Sequence, residues 1–545
     1  MPRSATHSVA LYAALALYLG LATTTVRATG VVGEVAIAWA LPTPPTVLTH
    51  LDPPDESVHR AGPLEARPAR PTESLVLGSV RLPLAVNAYT GGPPDWPARG
   101  ARAIASALTT NPMRAFGAGT AANVLLGALL LVLAHRFLRF HGTATAAGAA
   151  ALLIASDWSF VFYRKVLGGT EILLQAAALL VLWSLWSRRW KGGTHGTVAI
   201  AVGIGLGLLA KATFIATLAA YAVAAILTRW DRSAMRPPDR VHRGLVIIIP
   251  LVLVSPLLLT TIHHALLPAS IVSHDTLAMQ FGRIGGGGAS ARESVANLLA
   301  FLGHPLATFQ AAWQCASVAT FSPLRTVGFA LALGGIALEW RHRTVSPSAA
   351  LLRYLSLAVP FQLAFLFLAN RDLHHLAQAA VPLALLVALA ADRLAATVSP
   401  PRSTLRALTT LALIAPLVIG GVQELRQTDA IVRSCRSPSF TEAGQDALIT
   451  MLRRNHVRRL VTTSYEAYGM IEARAPDIVV IDAWGAMSNG ERVLPALLRV
   501  ASGGHYLSMK GSAPFIYDWR PEHVPGEIDA ISDGESNWAE LFRVE

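Results

Sequence analysis

Only a handful of residues in this chain combine reactive chemistry with a place where apolar sequence leaves them conspicuous. Glu34 stands in GVVGEVAIAWALP, a few residues beyond a long apolar run. A partly desolvated carboxylate there has a raised proton affinity and can serve as a base for an incoming hydroxyl; the plain alternative is a solvated loop acid. Asp55 and Glu56 are adjacent in LDPPDES, where the prolines at 53 and 54 exclude helix. Paired acids can divide roles by environment, one ionised and one protonated, although a solvated turn also accounts for them. Arg164, Lys165 and Glu171 lie in FVFYRKVLGGTEILLQ, between two apolar runs. Ionisable groups at such a junction are costly unless paired or turned to a cavity; a lysine can snorkel out, but Glu171 sits just inside the apolar run. Lys211 is isolated between apolar flanks in GLGLLAKATFI, where a phosphate would find a compact charge beside backbone N–H groups. Asn370, Arg371, Asp372, His374 and His375 crowd into NRDLHHL between two apolar segments and suggest a ligand-facing rim. Adjacent histidines point to different helix faces, so neither His374–His375 nor His263–His264 makes a metal pair. The two cysteines, Cys315 and Cys435, offer no ligand spacing, and no metal is expected.

The elements that must position these groups are membrane helices. The 545 residues are 53% hydrophobic and only 14% charged, a composition of polytopic membrane proteins rather than of large soluble enzymes. A net charge of +12 invites nucleic acid, but the arginines sit at the ends of apolar runs and form no basic surface with interleaved aromatics. The periodicity predicts spans at 8–26, 115–135, 144–163, 169–187, 196–210, 212–228, 244–263, 322–339, 351–369, 375–394 and 405–424, about eleven in all. The stretch 203–227 is too long for one span and short for two, which a tight hairpin with Lys211 at its outer tip resolves. Arginines at 136, 139, 188, 189, 229, 232, 341, 343, 393, 402 and 406 then fall on one side, and the positive-inside rule makes it cytoplasmic. The N-terminus lies inside; the polar insert at 29–111 and the C-terminal tail lie outside, facing out of the cytoplasmic (inner) membrane. The tail changes composition near residue 427, where LRRNHVRRLVTTS and DIVVID read as helix feeding strand and as a buried strand. The expected fold is therefore mainly α, a transmembrane bundle over 1–426, followed by a small α/β domain over 427–545.

An outside insert with an acid near its start, then LPLAVNAYTGG before the second span, resembles the GT-C glycosyltransferases. Within these the chain is most similar to bacterial members of the dolichyl-phosphate-mannose–protein mannosyltransferase family. YRKVLGGTEILL, GLGLLAKATFI and HHLAQAAVPLALLVA agree with that pattern, and the similarity covers residues 1 to about 425. It implies a sugar donor linked to polyprenyl phosphate as co-substrate, with no other cofactor, and an acceptor glycan, lipid or protein. The donor phosphate would lie near Lys211, Arg164 and Arg371, with Glu171, Asn87, Tyr89, His374 and His375 as substrate contacts. Transfer would invert the anomeric carbon, with an insert acid as base. The family pattern has an Asp–Glu pair soon after the first span, where this chain has Gly33–Glu34. Either Glu34 acts alone, or Asp55–Glu56 is the pair displaced by an insertion, or the protein is a catalytically silent scaffold of envelope assembly. A transporter of a lipid-linked substrate is the rival from another class; it would show charges at mid-span and repeated halves.

Overall fold

In the computed structural model, the described residues are 5–25, 46–50, 64–68, 74–77, 80–83, 93–166, 170–191, 195–228, 240–266, 322–369, 377–399, 404–433, 441–462, 467, 470–471, 474–475, 477–482, 504–509, 527–532 and 537–544. The chain folds as a helical bundle carrying a small α/β unit near its C-terminus. Each of the eleven predicted spans coincides with helix. In chain order the helices of the bundle are α1 (Ala5–Thr24), α2 (Trp96–Leu108), α3 (Pro112–His141), α4 (Ala144–Ser156), α5 (Trp158–Val166), α6 (Thr170–Lys191) and α7 (His195–Ala210). They continue with α8 (Phe214–Leu227), α9 (Arg240–Leu266), α10 (Pro323–His342), α11 (Pro347–Ala369), α12 (Ala380–Val398) and α13 (Thr404–Arg433). Among the described residues six helices are long and apolar enough to cross a membrane, and four shorter apolar helices accompany them. This is a multi-pass membrane protein.

Two features depart from the predicted spans. The third span is not one helix: α4 stops at Ser156 and α5 restarts at Trp158, because Asp157 turns extended and its carboxylate accepts the Phe160 N–H at 2.8 Å. Local capping by a short acid competes with helix continuation. The insert also contributes α2, an amphipathic helix against α3 that buries Ala98 and Arg99 and leaves Ile104 and Leu108 exposed.

The hub is α4, ATAAGAAALLIAS, which touches α1, α3, α12 and α13. Ten of its thirteen residues are buried, mostly alanine. Small side chains are what let membrane helices approach closely enough for dispersion to hold them. The same device appears in α7, where Gly203, Gly205 and Gly207 each meet a different neighbour. A Cβ on them would stand 2.7 Å from Val181 of α6, 2.6 Å from Leu253 of α9 and 2.2 Å from the Phe214 ring of α8.

The α/β unit pairs α14 (Glu442–Arg454) with a seven-stranded sheet of order β2-β1-β6-β5-β7-β9-β8. The predicted strands are present as β5 (Arg459–Thr462) and β6 (Val479–Asp482), joined in parallel; β7 (Gly504–Met509) lies on the other side of β5. Then come β9 (Asn537–Val544) and β8 (Glu527–Ser532), both antiparallel to their neighbours. Two strands come from the insert, which the sequence reading placed wholly within 1–426. β1 (Thr46–His50) pairs in parallel with β6, and β2 (Leu64–Pro68) forms a hairpin with β1. The cause is an open edge on β6, which strands from elsewhere in the chain can satisfy. A separate hairpin joins β3 (Ser74–Leu77) to β4 (Val80–Pro83).

Candidate functional site

The site assembles at the end of the bundle where α7 ends and α6 and α8 begin. The hairpin tip is short: the Phe214 N–H bonds to the Lys211 carbonyl at 3.0 Å, and the Lys211 N–H to Gly207 at 3.1 Å. Gly207 makes this turn possible, since the Phe214 ring occupies the space a side chain there would fill. Lys211 is not at an exposed tip, as the sequence suggested, but only 4% exposed. Two short 3₁₀ turns pack at this end. One, Ala377–Ala379, touches α5, α6, α11 and α12; the other, Pro93–Asp95 from the insert, touches α6 and α7.

Amides and hydroxyls tie these pieces together. Gln378 Nε2 donates to Thr213 Oγ1 at 2.8 Å, Gln362 Nε2 donates to Thr217 Oγ1 at 2.8 Å, and Gln175 Nε2 donates to the Ala377 carbonyl. Thr213 is the N-cap of α8 but does not cap it; its hydroxyl serves Gln378 instead. All three glutamines are buried; each donates its amide N–H, while Gln362 Oε1 and Gln378 Oε1 accept no hydrogen bond among the described residues.

The charges at this end are unusual. Glu171, in the first turn of α6, is 2% exposed, and Asp95, in the insert's turn, is 3% exposed. Asp95 precedes α2 as its N-cap yet makes no side-chain cap bond. One turn on, Arg99 is buried, and burial lowers its pKa to about 10, partly offset by Asp95 and reinforced by Arg102. It remains a cation at neutral pH. Lys211 has no ion-pair partner among the described residues. A buried ammonium at the N-terminal end of α8 adds its charge to the helix dipole, which is the arrangement that receives an anion. Among the described residues no group of three or more His, Cys, Asp or Glu side chains is placed to hold a metal ion.

No family model matches the chain, and no curated protein matches it in sequence. Solved structures do. ArnT from Cupriavidus metallidurans, bound to undecaprenyl phosphate, superposes with a TM-score of 0.55 at 13% identity, covering 93% of this chain and 94% of that one. The archaeal oligosaccharyltransferase AglB from Archaeoglobus fulgidus, in complex with an inhibitory peptide and a dolichol-phosphate, gives a TM-score of 0.52 at 14% identity, over 93% and 70% of the two chains. The chain has the GT-C fold.

Within this GT-C fold, two of the sequence-predicted site residues, Lys211 and Glu171, have described side chains, and both are buried at the same end of the bundle. Arg164 falls in α5, with its side chain outside the described residues. Glu34, Asp55, Glu56, Asn87, Tyr89, Arg371, His374 and His375 also lie outside the described residues, as do Cys315 and Cys435. The structure adds Asp95, Arg99, Gln175, Thr213 and Gln378. A signal for Asp95 was in the sequence, an acid just before Trp-Pro as at a helix start. The glutamines carried none, since a lone Gln in an apolar run has no period.

Proposed function

We propose that this protein is an integral-membrane glycosyltransferase that moves a sugar from a polyprenyl-phosphate donor to an acceptor hydroxyl at the outer face of the cytoplasmic membrane. The observation that carries this is the buried Lys211 at the start of α8, which forms no ion pair among the described residues, inside a GT-C fold. Arginine placement supports the sidedness: Arg139, Arg341, Arg343 and Arg406 lie at the end opposite Lys211, as positive-inside residues should.

In this reading the donor phosphate is held by Lys211, with Arg164 and Arg371 as further candidates. An insert acid takes the proton of the acceptor hydroxyl, the oxygen forms a bond to the anomeric carbon, and the bond from that carbon to the phosphate oxygen breaks. Polyprenyl phosphate leaves with the electron pair, and the sugar inverts. Lys211 acts where negative charge grows on the leaving group, the kind of interaction that lowers a barrier rather than merely tightening binding. Glu34 is the first choice for the base and the Asp55–Glu56 pair the second; Glu171, Asn87, Tyr89, His374 and His375 are proposed to contact substrate.

Transfer of labelled sugar from polyprenyl-phosphate donors in membranes tests this, comparing the unaltered protein with Glu34→Gln and Asp55→Asn. Loss with Glu34→Gln alone, at normal insertion, supports a single-carboxylate transferase. Loss only with Asp55→Asn moves the base to the displaced pair. Activity untouched by both removes the assignment of the base, and no turnover across a broad donor set in the unaltered protein overturns the transferase reading.

A further inference from the structure

Asn123 belongs to none of the networks above. It lies in the half of α3 nearer Pro112, fully buried, and neither its Nδ2 nor its Oδ1 meets a hydrogen-bond partner. Among the described residues it is the one buried amide left wholly unpaired; Gln362 and Gln378 each leave only the carbonyl oxygen open. A polar side chain in a membrane helix normally bonds across to a neighbour, so a donor and an acceptor orphaned together call for a missing partner. Both atoms are open, so turning the amide over changes nothing.

The packing of α3 on α6 shows where this side chain points. Near the far ends of both helices, His141 Nε2 lies 3.3 Å from Ser187 Oγ, and the Phe137 ring centre lies 5.8 Å from that of Trp183. The two helices therefore run in the same direction, with facing residues at a constant separation in sequence. Asn123 precedes His141 by about five helical turns and so leaves α3 on the same side. Counted back equally from Ser187, its counterpart on α6 is the position just before Thr170, where that helix starts. Asn123 thus faces the N-terminal end of α6. Its neighbour Val124 is tied to the other side, where the carbonyl accepts from the Tyr18 hydroxyl of α1 at 3.1 Å. α6 is preceded by Gly168 and Gly169, which carry no side chain that could cap its first N–H groups.

Glu171, buried in the first turn of α6, already sets a carboxylate beside the positive end of the helix dipole, which disfavours an anion as the missing partner. A neutral group that both donates and accepts fits better, and adjacent hydroxyls of a sugar do so: one donates to Oδ1 while the next accepts from Nδ2. We propose that Asn123 reads two adjacent hydroxyls on the sugar of the polyprenyl-phosphate donor, a specificity-determining contact beside the first turn of α6. It rests on the transferase reading, in which Lys211 holds the donor phosphate at the same end of the bundle.

The test reads binding, with the full-length protein in nanodiscs. Native mass spectrometry compares retention of bare undecaprenyl phosphate with that of undecaprenyl-phosphate glucose, mannose, galactose and arabinose, in the unaltered protein, Asn123→Ala and Asn123→Leu. At least one sugar lipid should be retained about tenfold over the bare lipid. Both variants should lose that preference while holding undecaprenyl phosphate as before, which also shows that they are folded. No sugar lipid preferred in the unaltered protein, or a preference that survives both substitutions, overturns the proposal; a bound water would then fill the place. Loss of bare-lipid retention together with the preference in both variants overturns it too, as the mark of a packing residue. The transferase reading fails separately, if the sugar lipids are retained but none is turned over.

Discussion

The two ends of the bundle handle charge in opposite ways. At the end where α10 and α12 finish, acids are answered by guanidinium. Glu339, fully buried, is held by Arg353 and has Arg393 Nε at 2.8 Å, and the Thr344 hydroxyl also bonds to it. Asp392 takes Arg406 at 2.7 Å and the Thr143 hydroxyl at 2.9 Å. Arg343 adopts a left-handed turn, φ 43°, which bends the chain back so that Thr344 and Arg353 can reach Glu339. At the other end, Glu171 and Asp95 are also buried, but Lys211 forms no ion pair among the described residues, and neutral amides bond to the turn that carries it. α8 and α11 join the two ends in antiparallel contact, Gln362 to Thr217 and Tyr354 to Tyr221. The difference separates structure from function in one medium. A closed network has nothing left to bind and can only hold helices together; a buried cation without a counter-ion is costly to keep unless a ligand supplies one.

The contrast can be broken from either side. Glu339→Ala should have the largest effect, leaving Arg353 and Arg393 without their shared acid, at about 3–5 kcal/mol of stability. Thermal unfolding in detergent would show it; an unchanged midpoint would mean that the network is not structural. Lys211→Met should leave that midpoint within about 1 kcal/mol while lowering sugar transfer about 100- to 1000-fold. If unfolding and transfer fell together, Lys211 would be a packing residue and the contrast would fail. Gly207→Ala should act between the two, costing about 1–3 kcal/mol as the Phe214 ring is forced aside. It should weaken donor binding by moving Lys211, which a rise in the donor concentration needed for half-maximal transfer would reveal.

The sequence by itself determined most of the membrane architecture. A span in hydrocarbon must satisfy its backbone within itself, so twenty apolar residues have little choice but helix, and all eleven predicted segments are helical. It also determined the hairpin at Lys211, because Gly207, Lys211 and Phe214 act within one local turn, and the strands β5 and β6, whose β-branched runs are local signals. Tertiary structure decided what depends on distant partners. The burial of Lys211 was not legible: the turns packed at its end of the bundle come from more than a hundred residues earlier and later, and no window of sequence contains all three. The strands β1 and β2 join β6 only because folding brings an open edge beside them. Asp95 and Thr213 both stand at capping positions. Neither side chain caps its helix, and the Thr213 hydroxyl serves Gln378. A side chain that can hydrogen-bond its own backbone or a neighbour chooses by geometry, and that geometry exists only once the helices have packed.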